Sequence, residues 1–285
     1  MQLTKDGDEW KASRASLRPA LVHERASQLD AVASFTTKLI DDLKRSSTFK
    51  DNVVDVQALL RKHISDTSLA FLGLIDAKTD TNDEFGQGFT DAMTFAEGYL
   101  VKRILLGKLY WLADSVSFRQ ACKFLNDTID KYSRPIWQDI HFSSSAATSA
   151  GDSGGKQSVL KDLAGISDSP EILISRFSTL VFAANGNIAA LSTWLLYFLS
   201  THPDSYSKLR TAVNDVYGHD TSSITLDSLK KCSYLLWVIQ ETLRLEPPAT
   251  RGMKSAACDT TLPSGGGPDG SLPIFVPKVS TKNAS

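Results

Sequence analysis

The sequence predicts a mainly α-helical protein with little β-sheet. Three observations carry this. Apolar residues recur at helical spacing through most of the chain. A run of about thirty residues, Asp168 to Pro203, is bounded by helix start and stop signals. Strand candidates are confined to the C-terminal part, where turn formers crowd together.

In chain order, Asp8 to Leu21 opens with acids, which suit the positive end of a helix dipole. Trp10 and Arg14 stand at i and i+4 there, on one face. Asp30 to Leu43 and Val56 to Leu74 follow with amphipathic spacing. In DEFGQGFTDAMTFAEGYLVKRI, Phe85, Phe89, Ala92, Phe95, Ala96 and Tyr99 share one side. Phe118 to Tyr132 is a further amphipathic stretch. Residues 142–158, rich in Ser and Gly, read as a flexible loop.

The long run has Ser169 as a cap, Pro170 at the first helical position and His202-Pro203 as a stop. It is apolar around most of its circumference, so burial in the middle of the domain is expected. Its centre, Ala183 to Ala189, reads AANGNIA. Small residues there leave room for something flat or bulky against the backbone.

IQETLRLEPP (Ile239 to Pro248) reads as the end of another helix, stopped by Pro247 and Pro248. Leu235, Leu236, Ile239, Leu243 and Leu245 give it an apolar side, and Glu241 and Arg244 share a face three apart. By spacing alone that pair is either an exposed surface pair or a buried one that secures a core. Lys254 to Thr261 and Pro273 to Val276 are the strand candidates. GGGPDG between them lacks the Lys-Ser/Thr of a P-loop and opens no helix, so it reads as a tight connecting turn.

Composition narrows the function classes. The 285 residues are 42% hydrophobic and 22% charged, with net charge -1. That suits one large domain or two small ones and offers nothing to attract nucleic acid. Cys122, Cys232 and Cys258 are scattered and show no CxxC spacing, which fits a reducing compartment better than a disulfide framework. The five histidines form no HxxxH or HExxH cluster, so no zinc site is expected. The opening MQLTKDGDEW lacks the apolar core of a signal peptide, and Ala189 to Ser200 is short for a membrane span. By these criteria the polypeptide reads as soluble.

The order of the motifs says more than any one of them. An early WxxxR helix, a long helix with a small-residue notch, then ExxR before a proline-rich turn resembles the cytochrome P450 family of haem-thiolate monooxygenases. DGDEWKASRASLRPAL, SDTSLAFLG, AEGYLVKRILLGKLYWL, HPDSYSKLR and DTTLPSGGGPDGSLPIFVPK resemble its fungal branch that hydroxylates n-alkanes and fatty acids at the chain end. The GGGPDG insertion is the most specific of these. The resemblance implies a partial P450 domain over 1–278, from the WxxxR helix to the ExxR helix and the β-turn region after it. It implies haem as cofactor, electrons from NADPH through a reductase, and a long aliphatic substrate. Trp10, Arg14 and Lys254 would hold haem propionates, Ala183 and Ala184 would lie over the haem face, and Glu241 with Arg244 would lock the core beside it.

Departures from the family pattern are equally specific. The AGxDTT motif becomes Ala183-Ala184-Asn185-Gly186-Asn187-Ile188, so Gly186 replaces the acid and Asn187 the hydroxyl donor of proton delivery. Lys254 stands where the family usually has Arg, keeping the charge and losing the planar fork. The family's axial Cys belongs to an FxxGxRxCxG loop, and none of the three cysteines has that context. The family's membrane anchor, which places full-length relatives at the endoplasmic reticulum, is expected before Met1. Residues 279–285 (VSTKNAS) depart from the family, and since Val-Ser can be encoded by an intron's opening bases, they read as intron read-through. Beside the monooxygenase stand two rival expectations: a truncated non-catalytic pseudoenzyme, and a haem-free helical module that binds lipid.

Overall fold

In the computed structural model, residues 7–22, 28–49, 53–75, 83–142, 158–218, 224–250 and 256–278 are described. They divide into two units, one running to Pro248 and the other beginning at Ala249.

The first unit is helical. Its elements are α1 (Gly7–Val22), α2 (Gln28–Phe49), α3 (Val56–Leu72), α4 (Asp83–Leu106), a 3-10 turn (Gly107–Leu112), α5 (Val116–Phe142), α6 (Val159–Gly165), α7 (Pro170–Thr201), α8 (Pro203–Tyr217), α9 (Leu226–Lys231) and α10 (Ser233–Leu245). Local chemistry sets several of the boundaries. Asp55 caps α3 by accepting from the Ala58 N–H at 3.1 Å. Gly73 ends α3 at φ +84°, a left-handed turn that a side chain would resist, and Leu74 N donates back to Leu69 O at 2.9 Å. Thr225 and Ser228 form a reciprocal capping box at α9.

Ser169 and Pro170 start α7 as expected, and the helix runs for 32 residues. Leu173, Phe177, Val181, Asn185 and Ala189 are its buried stripe, each four residues after the last. α3, α5 and α6 pack on this helix, with α4, α8 and α10 also touching it. Leu69, Phe89, Leu160, Leu163, Leu173, Phe177 and Val181 are completely buried together. The expected burial of the whole helix needs correction. Beyond Ala189 the side chains of Trp194, Leu196 and Tyr197 are exposed.

α5 also differs from expectation: it continues past Tyr132 to Phe142, through Pro135. Proline there forfeits only the hydrogen bond to the carbonyl of Lys131, whose residue is exposed to water. Beyond it, Trp137 Nε1 donates to Ser167 O at 2.7 Å and so ties α5 to the turn before α7. Arg176 of α7 donates to Ile166 O at 2.6 Å and to Ser167 Oγ at 3.0 Å, closing the same corner.

In the second unit β1 (Thr260–Gly266) and β2 (Leu272–Val276) form an antiparallel hairpin with Thr260 opposite Val276 and Gly266 opposite Leu272. The first strand therefore starts later than the expected Lys254 to Thr261. Its TLPSGG segment looks like a loop in isolation but gains a ladder from β2. The Gly-rich turn forms: Gly265 N donates to Gly270 O at 2.7 Å, and Gly265, Gly267 and Gly270 all have positive φ. Most of the 142–158 loop and all of the 279–285 tail lie outside the described residues.

The core makes a direct prediction. Phe177→Ala, at a fully buried position, should lower stability by about 3–5 kcal/mol in urea denaturation. Leu105→Ala, at a position 72% exposed, should stay within about 0.5 kcal/mol of the parent chain.

Candidate functional site

The middle of α7 is narrow because its residues are small. Ala183 and Asn187 face solvent, Ala184 and Gly186 are half-buried, and Asn185 is buried. Asn187 Nδ2 donates to Ala183 O, four residues back, at 3.1 Å, so this amide folds onto its own helix. Asn185 behaves differently: both atoms of its buried amide lack a hydrogen-bond partner. That is a costly state for a polar group unless something polar meets it.

The space at Gly186 is occupied from another helix. A Cβ at that position would lie 3.1 and 3.2 Å from the two carboxylate oxygens of Glu97 on α4. Arg61 of α3 pairs with Glu97 Oε2 at 3.4 Å, while Glu97 Oε1 is buried without a partner. Burial pushes the Glu97 carboxyl above its usual range, and Arg61 opposes that shift. Sequence reasoning missed both residues. A signal for Glu97 existed: it follows the buried Phe89 and Met93 by eight and four residues, so an acid sits on the core stripe of α4.

Trp10 and Arg14 come together as the spacing predicts, with the guanidinium 5.5 Å from the indole ring centroid. Both are exposed, while Leu17 of the same helix enters the core. Lys254 lies outside the described residues.

Glu241 and Arg244 form a two-pronged pair on α10, with Arg244 Nε donating to Glu241 Oε2 at 2.7 Å and Nη2 to Oε1 at 2.5 Å. In this chain the pair is exposed, 55% for the Glu241 side chain and 66% for Arg244. α10 buries Thr242, while the Glu241 and Arg244 side chains reach water. The Arg244 hydrogen bonds hold the Glu241 carboxyl below its usual range.

A separate cavity of about 510 Å³ opens between α4, α5 and α7. Met93, Leu100, Phe118, Ile129 and Phe182 make its wall apolar, and Ser178 contributes a hydroxyl without a partner. Cys122 also lines it, its thiol pushed up by burial. Cys232 sits buried at the α9–α10 junction, and Cys258 is exposed before β1. Among the described residues no three His, Cys, Asp or Glu side chains gather as a metal site.

The exposed pair predicts a titration. Glu241 favours the folded state above its ordinary value of 4.5, and that contribution is lost as pH falls through its lowered folded value. Arg244→Gln should return the Glu241 carboxyl to the ordinary range in an NMR pH titration. An unchanged curve would mean that the pair does not act on it.

Residues 2–270 match the family model described as Cytochrome P450. The chain is 33% identical over 278 residues to a cytochrome P450 of Arthroderma benhamiae, covering 96% of this chain and 54% of that protein. It is 30% identical to cytochrome P450 52-M1 of Starmerella bombicola, covering 96% and 54% respectively. Cytochrome P450 52A13 of Debaryomyces hansenii is also 30% identical, with 98% and 55% covered. A crystal structure of a cytochrome P450 superimposes with TM-score 0.66 at 18% identity, over 96% of this chain and 60% of the other, and shows a common fold. The chain thus spans about half the length of the curated relatives it matches. With a family match across nearly all of its residues and a helical fold like that of a solved member, the chain belongs to the cytochrome P450 family.

Proposed function

We propose that this chain contributes to a haem-dependent monooxygenase that hydroxylates the end of a long aliphatic chain, as its motifs imply. The observation that carries the substrate class is the apolar cavity. Its wall runs along α7 to Phe182, the residue immediately before the small-residue notch. Its volume, about 510 Å³, lies within the roughly 300–1,000 Å³ usual for small-molecule sites. An aliphatic chain there would point along α7 toward Ala183.

Membership of the family implies haem, and the residues fit it in part. Ala183 and Ala184 carry no bulk that would keep a flat ring from the helix. Trp10 and Arg14 present an indole N–H and a guanidinium, both exposed, to an anionic group such as a propionate. Lys254 would add a further charge. Gly186 and Asn187 occupy the positions of the family's proton-delivery pair, yet Asn187 spends its amide on Ala183 O. The iron ligand does not fit. Cys122 is held as a thiol in an apolar wall, Cys232 is buried between two helices, and Cys258 lies in SAACDTT rather than in the family's pattern. Haem, when bound, supplies the oxygen chemistry, and this chain's part is to shape and desolvate the substrate side. For the whole protein, electrons would come from NADPH through a reductase, with the endoplasmic reticulum membrane as its place. Among the described residues one helix, α7, is long and apolar enough to cross a membrane by length and composition, and its first half packs here in the core. The partial domain would extend over 1–278, with 279–285 as a tail outside it.

A second reading, a haem-free module that binds lipid, is favoured by the same cavity, because side chains of α4, α5 and α7 alone make its wall. One experiment separates the two. Fatty acids of increasing length should displace a fluorescent lipid probe, each two added methylenes tightening binding on the order of tenfold. Ser178→Trp should fill the cavity and abolish that gain. Short polar acids binding as tightly as long ones would sink the aliphatic assignment. Haem titration of the same protein then discriminates: specific uptake that weakens in Arg14→Ala supports the monooxygenase, and lipid binding without uptake supports the module.

A further inference from the structure

We propose that Glu97 is the proton-holding acid of the α7 notch, reaching from α4 into the space that a side chain at position 186 would otherwise fill. The use of that proton rests on the monooxygenase reading; the placement of the acid does not.

Four observations converge on it. First, α7 has no acidic or basic side chain after Arg176, so a carboxyl at its middle must come from another helix. Second, the fit at Gly186 is close and specific: a Cβ there would meet both Glu97 oxygens near 3 Å and Cδ at 3.3 Å. Third, the two oxygens are unequal. Oε2 faces Arg61 at 3.4 Å, whereas Oε1 is buried without a partner. An unpartnered oxygen is where a proton is best carried, since a buried anion with one long contact is poorly compensated. Fourth, the neighbouring Asn185 amide is buried and also unpartnered, so the notch holds polar groups that its own helices leave unsatisfied.

The environment supports a cycle. Among the described residues Arg61 is the charged group acting on Glu97, and α7 presents none beyond Arg176. A protonated Glu97 can donate a hydrogen bond from Oε1 into the notch, and loss of its proton to water leaves a carboxylate and hydronium. Arg61 then stabilises that carboxylate. A proton from bulk water restores the acid from the Arg61 side, where the guanidinium chain is 30% exposed. Burial raises the carboxyl's affinity for a proton, which suits an acid that must be loaded before it donates.

The test uses the chain without haem. In a carboxyl NMR pH titration of the intact protein, one glutamate should titrate above the ordinary value of 4.5, disappear in Glu97→Gln, and rise further in Arg61→Gln. Stability should carry the same signature. Because the folded value is raised, the contribution of Glu97 is full below 4.5 and is lost as pH rises through the folded value. Glu97→Gln should flatten that slope. The contact with α7 has its own readout. Gly186→Ala should weaken folding in the parent chain, yet in a Glu97→Ala background it should strengthen folding by up to about fivefold, as Ala for Gly does in an open helix. The proposal is overturned if no glutamate titrates above the ordinary range, or if Gly186→Ala has the same effect in both backgrounds. Failure of haem to bind would instead remove the monooxygenase reading and leave these results to decide the role of Glu97.

Discussion

The first half of α7 can be buried only if helices cover it from several sides, and this requirement organises the rest of residues 7–248. Five of its six buried residues fall every fourth position, from Leu173 through Phe177, Val181 and Asn185 to Ala189, and Thr179 is the sixth. Such a ridge offers neighbouring helices a groove on each side. α3, α5 and α6 take those places, α2 then packs on α3, and α1 packs on α6. Each large apolar side chain in the ridge contributes about 1.5–3 kcal/mol by leaving water. From Phe177 the ridge also tapers, through Val and Asn to Ala. Beside this taper, at Gly186, the Glu97 carboxyl of α4 lies just over 3 Å from where a Cβ would stand.

The same helix shows what apolar composition fails to specify. Around Trp194 it is as apolar as around Phe177, yet Tyr197 is 54% exposed and Phe177 is fully buried. Trp194, Tyr197 and Phe198 pack on one another instead, with ring centroids 5.6 to 5.8 Å apart. A contiguous exposed aromatic cluster of this kind is the surface another apolar element would cover. Hydropathy reads a helix's preference for burial; it does not say how many neighbours the fold supplies.

What was legible in the sequence was local. Ser169-Pro170 marks the start of α7, Gly265 to Gly270 marks the hairpin turn, and the i and i+4 spacing of Trp10 and Arg14 brings ring and guanidinium together. Each depends on a few neighbouring residues. What was missed depends on distant ones. Pro135 looks like a helix end until Trp137 finds Ser167 O, thirty residues away. TLPSGG looks like a loop until β2 pairs with it. Arg61 and Glu97 are 36 residues apart, and nothing in their spacing announces a meeting.

Two acid–arginine pairs in this chain show why that distinction reaches chemistry. Glu241 and Arg244 are joined by helix geometry, both carboxylate oxygens are engaged, and water surrounds them. Glu241 is therefore held as an anion, with its proton affinity lowered. Glu97 and Arg61 are joined by tertiary packing, one oxygen has a single contact at 3.4 Å, and the Glu97 side chain is only 17% exposed. Desolvation outweighs attraction there, and its proton affinity is raised. A motif that names an acid and an arginine is thus silent on the protonation state they share. That state follows from burial, and the buried Glu97 carboxyl lies against the open position at Gly186. A side chain added at position 186 would meet the acid from α4, so substitution at one position bears on the other.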